Sequence, residues 1–157
     1  LTNVKNNLTS GFGYDKKIGK EEYNMNKKKD IPIPYQKKLN KRIFALLRDA
    51  IKDNPNSLGI LVGSLHYFHK FLQSNTKLRC PIISLTPENH IYASWRGKGR
   101  EKFSVHFLPN GNARFIISQS NNIRHWGTVI ANTLIKTITS YKIDWIFKKS
   151  QIEKGEK

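Results

Sequence analysis

The chain has 157 residues, enough for one domain with a sizeable core, and its 28 Lys and Arg against 11 Asp and Glu leave a net charge of +17. That balance points to an acidic partner: nucleic acid, an acidic protein surface or an anionic membrane. Scarce carboxylates exclude reactions built on paired acids or on oxygen-ligated divalent metals. Between Asn54 and Ile143 only Glu88 and Glu101 oppose eleven Lys and Arg, so the excess belongs to the part patterned like a folded body. AT-biased coding also enriches Lys and Asn, but it does not explain the missing acids. The single cysteine, Cys80, permits no internal disulfide and suits a reducing compartment. No apolar run reaches the length of a membrane span, and the first 20 residues lack the apolar core of a signal peptide. The expectation is a cytoplasmic protein outside the membrane, with Leu1 marking a trimmed start or a fragment boundary.

Residues 1–35 read as a basic, flexible or extended arm. The first thirty are rich in Asn, Lys and Gly and contain Lys27, Lys28 and Lys29. Ile31-Pro32-Ile33-Pro34-Tyr35 follows, extended because each proline drives its predecessor out of helical geometry. A single α+β domain is expected over 36–147, with a charged tail at 148–157.

A first helix is predicted from Gln36 to Asp53. Leu39, Ile43, Leu46, Leu47 and Ala50 recur on one side, with Lys37, Lys38, Lys41, Arg42 and Arg48 around the rest. Asn54-Pro55 stops it. Ser57 is placed to cap a second helix reaching Ser74, which would bury Leu58, Leu61, Leu65, Phe68 and Leu72.

The centre reads as a four-stranded antiparallel meander. Strands are expected at 82–85, 91–96, 102–107 and 113–117, each join carrying turn chemistry: Pro87-Glu88-Asn89, Gly97 to Arg100, and Pro109-Asn110-Gly111. After a possible cap at Asn121-Asn122, a third helix through Trp126, Val129, Ile130, Leu134, Ile138 and Tyr141 would cover one sheet face. Its β-branched residues leave a strand reading open.

Alternation sorts the strands into an apolar inner set and a polar outer set. The outer set holds Tyr92, Ser94, Arg96, Lys102, Ser104, His106, Arg114, Ile116 and Ser118. Three-residue loops place Ser94 opposite Ser104, Ser104 opposite Ser118, and His106 between Tyr92 and Ile116. Cations for phosphates, a ring for stacking and hydroxyls for hydrogen bonds make this face a candidate nucleic-acid platform. A one-sided sheet also presents Ser, Lys and Arg to water for no further reason. In Arg96-Gly97-Lys98-Gly99-Arg100, cations alternate with glycines that allow close backbone approach to an anion. It is no nucleotide-binding P-loop, because Gly-Lys-Ser/Thr leading into a helix is absent.

The leading expectation is a small non-enzymatic nucleic-acid-binding protein, for DNA or RNA. It would use Lys27, Lys28, Lys29, Arg96, Lys98, Arg100, Lys102 and Arg114, with no cofactor and no metal. His66 and His69 share a helical edge but lack further ligands nearby. Two other readings stay open. One is an antitoxin, immunity-type or inhibitor protein that binds an acidic partner. The other is a metal-independent ribonuclease toxin with His106 as acid/base, Arg114 and Lys102 on the phosphorane, and Tyr92 stacking or donating a proton.

Overall fold

Four hairpins with three-residue loops organise the middle of the chain. They are seen in a computed structural model that describes residues 32–148. The expected arm up to residue 31, including Lys27, Lys28 and Lys29, lies outside the described residues, as does the tail from 149. Strands β1 (Ile82–Leu85), β2 (Ile91–Arg96), β3 (Lys102–Phe107), β4 (Asn112–Ser118) and β5 (Arg124–Ile130) form an antiparallel sheet in sequential order. Every join is a three-residue loop closed by a backbone bond of 2.9–3.0 Å: Thr86 to His90, Gly97 to Glu101, Leu108 to Asn112 and Gln119 to Ile123. Each loop holds one left-handed residue: the last in three of them, Asn89, Gly111 and Asn122, and the middle one, Gly99, in the second. Glycine adopts that conformation without penalty and asparagine tolerates it, which is why these two residues take those positions.

The fifth strand corrects the expected count of four. β5 occupies the first half of the segment predicted as the third helix. Thr128, Val129 and Ile130 suit a pleated surface better than a helix, and pairing with β4 satisfies that strand's second edge. What remains of the helix is the short α3 (Leu134–Ile138), flanked by 3-10 turns at Ala131–Thr133 and Thr139–Tyr141. Leu134 and Ile138 are buried in the common core.

Helix α1 spans Gln36–Asp53 as expected, burying Leu39 and Leu46. Helix α2 covers Val62–Ser74, starting five residues after the predicted cap. Gly59 is left-handed (φ 73°), and the Ser57 hydroxyl accepts bonds from the Gly59 N–H and the Asn89 amide, each 3.0 Å. Ser57 therefore fixes a turn instead of capping a helix. Leu58, expected in the core, projects outward at 90% exposed, while Ile60 turns inward.

The inner sheet face meets the helices through a ring cluster. Phe107 lies edge-on to Phe68 (5.3 Å) and tilted to Phe71 (5.4 Å), and Trp95 stacks on Phe103 (5.3 Å). Buried Ser64 pins α2 to the sheet. It donates to the Phe107 carbonyl (2.6 Å) and accepts from the Ile91 N–H (2.7 Å). The chain returns beside Leu78, which bridges to Phe147. Among the described residues no helix is long and apolar enough to cross a membrane.

Candidate functional site

The outer sheet face is organised in rows by the strand register. Arg96, Lys102, Ser118 and Arg124 are successive partners across β2 to β5. The next row holds Ile82, Ser94, Ser104, Ile116 and Trp126, and the third holds Ser84, Tyr92, His106, Arg114 and Thr128. Arg96 and Arg124 thus stand three strand spacings apart, roughly 14 Å. The inner and outer sets match the alternation, but the β3–β4 register differs from the expected one by two residues. Ser104 faces Ile116 and His106 faces Arg114, the pairing that a three-residue loop at the expected turn Pro109-Asn110-Gly111 itself requires.

Small side chains make the floor and long ones lie over it. Ser104 is only 3% exposed and Ser94 is buried beside it, while the Lys102 ammonium reaches to 5.9 Å from the Tyr92 ring centre. Trp126, at 80% exposed, stands on the same face. Arg96, Arg100, Lys102 and Arg124 line one shallow cleft of about 480 Å³, with Glu101 its one carboxylate.

The cations of the second hairpin part company at its tip. Arg100 faces this cleft and is held to Asn122 by a 3.0 Å bond. Lys98 instead borders a hollow beside Asp144, Trp145 and Lys148. The tip is also less adaptable than its glycines suggest. Glu101 accepts from the Lys98 N–H at 2.9 Å, Gly99 takes the left-handed turn position, and a side chain at Gly97 would strike Glu101 and Trp145. These glycines answer to the turn. Arg79 is half-buried beside the same hollow, and its guanidinium donates to the Arg96 carbonyl at 2.7 Å.

His106 has a partner invisible to sequence spacing. Its Nε2 lies 2.9 Å from Nδ1 of His90, so one ring donates its N–H to the bare nitrogen of the other. Burial, then the charges of His90 and Arg114, hold His106 below the ordinary histidine range, with Glu88 opposing. It therefore stays neutral near pH 7. Burial likewise pushes the half-buried Cys80 thiol up, the wrong direction for a nucleophile. Among the described residues no three His, Cys, Asp or Glu side chains gather as a metal-binding group.

Arg124 and Trp126 were absent from the sequence-derived site because their segment read as helix. The signal for them was present in the turns. Residues 89, 99, 111 and 122 are Asn, Gly, Gly and Asn at near-even spacing, which marks a fourth hairpin. No protein-family model matches the chain, and no curated protein or solved structure matches it either.

Proposed function

We propose that this protein binds nucleic acid on the outer face of its sheet, without catalysing a reaction on it. The observation that carries this reading is the row of Arg96, Lys102 and Arg124 across β2 to β5, with Trp126 in the next row and Tyr92 and Arg114 in the one after it. Cations spread over a flat face neutralise successive phosphates, and rings stack on bases of any identity. Recognition by charge and stacking gives affinity without base specificity.

Fluorescence anisotropy with labelled single- and double-stranded oligonucleotides tests it. Four phosphate contacts predict an affinity loss of about 50-fold between 50 and 200 mM salt on a single strand. The combined change R96A, K102A, R114A and R124A should flatten that dependence while leaving the thermal transition in place. Binding that ignores salt, or that survives the fourfold variant, overturns the reading.

The neutral His106, flanked by Tyr92 and Arg114 and paired with His90, favours one second reading, the metal-independent ribonuclease. Its demand is RNA cleavage that persists in EDTA and disappears in His106→Ala. Wild-type protein that leaves RNA intact ends it.

A further inference from the structure

On the helical side, well away from the sheet face, α1 and α2 enclose a groove of about 730 Å³ with an apolar lining. Ile43, Leu47, Ile60 and Leu65 make its floor. Its walls are large apolar side chains left in water: Phe44 at 68%, Val62 at 80% and Leu58 at 90% exposed. Leu58 is held there by construction, because the Ser57 bonds and left-handed Gly59 turn it away from the core. A contiguous apolar surface of this kind marks an interaction site more often than a solvent face.

The charges around the groove specify the occupant. At 100° per residue along α1, Lys37, Arg48 and Lys41 fall within about 60° of Phe44, on the solvent side of that wall and outside the groove lining, and Lys52 within about 80°. The acids of the same helix, Asp49 and Asp53, fall on its far side. All four cations are exposed. A second copy would bring two cationic rims together, so the rim disfavours self-association. A lipid surface is flat, whereas this site is concave. The groove runs along α1 from Gln36 to Leu47, about 16 Å, the length of three helical turns. Gln36 closes one end by bonding Asn40 (2.6 Å) and approaching His69 (3.3 Å).

We infer that this groove docks an amphipathic helix from a partner protein, its apolar stripe seated on Ile43, Phe44, Leu58 and Val62 and its acidic flank against Lys37, Lys41 and Arg48. Apolar burial supplies the affinity, and the cationic rim selects the acidic helix.

The test uses the full chain and two synthetic helical peptides of about 14 residues with the same Leu stripe, one flanked by Glu and one by Lys. The Glu peptide should bind in the micromolar range and the Lys peptide about ten-fold or more weakly. Phe44→Glu and Val62→Glu, at exposed positions, should each weaken the Glu peptide about ten-fold with the thermal transition unchanged. Equal affinity for the two peptides, no binding of the Glu peptide at millimolar concentration, or indifference to both substitutions overturns the inference. So does sedimentation showing a dimer that Phe44→Glu dissociates, or binding to phosphatidylserine vesicles that replaces peptide binding. The sheet-face variant R96A, K102A, R114A and R124A should bind the Glu peptide normally; loss there would assign the peptide to the sheet and overturn the groove.

Discussion

The outer sheet face and the α1–α2 groove both carry cations at their edges, yet they rest on opposite floors. Under Arg96, Lys102 and Arg124 lie Ser94 and Ser104, with Tyr92 and Trp126 as the rings. The groove floor is Ile43, Leu47 and Leu65, with Lys37, Lys41 and Arg48 outside its Phe44 wall. The difference decides what the charge does. Over a polar floor little apolar area is available, so charge must supply the affinity, and salt should erode it steeply. Over an apolar floor burial supplies the affinity and charge chooses among partners, so salt should matter much less. On the two proposals above, one excess of positive charge would serve two different purposes.

Several substitutions would break or sharpen that contrast. Phe107→Ala has the largest expected effect, because its ring sits between Phe68 and Phe71 beneath both regions. It should cost about 3–5 kcal/mol in urea unfolding and weaken binding at both sites together. A loss below about 1 kcal/mol would mean that the two regions do not share a core. Ser64→Ala comes next. It strips the Ile91 N–H of its acceptor and should cost about 1–3 kcal/mol, again without favouring either site.

Acidification should separate the two regions by mechanism. His106 titrates below its unfolded value, so the stability gained by keeping it neutral is complete above about pH 6.5. That stability is lost as pH falls from there through the lowered folded value. The same proton adds a charge to the sheet face, so oligonucleotide affinity should rise as stability declines. His106→Gln should flatten both trends, and trends that persist in the variant would remove His106 from the face. The smallest effect is expected at Leu58→Ser, within about 0.5 kcal/mol of wild type, because the side chain is already in water. A marked destabilisation would show that Leu58 packs against something in the free protein.

Legibility varied with how local the determining physics was. The bounds of α1 and of β1 to β3 could be read directly, since their apolar periods and turn residues are set within a few positions. β5 was obscured because Trp126, Val129 and Ile130 also satisfy helical spacing, and the preference for a strand came from the open edge of β4. Leu58 misled for a related reason. Its spacing fits the α2 stripe, but Gly59 and the bond from Asn89, thirty-two residues away, redirect the backbone. Of the candidate site, Arg96, Lys102, Arg114, Tyr92 and His106 were assigned to one face by alternation alone. Lys98 could not be separated from Arg100, because hairpin-tip direction depends on packing against Trp145.

By itself the sequence determined an acid-poor body, an antiparallel meander with a polar outer side, and a basic amphipathic first helix. Each follows from composition or from a period of 2 or 3.6 residues, which every chain of this pattern must obey. Only the tertiary structure decided which cations stand together, that His90 meets His106, and that the exposed apolar residues of α1, its following loop and α2 converge into a groove. Those outcomes depend on register and on contacts between residues distant in the chain, and no local pattern encodes them.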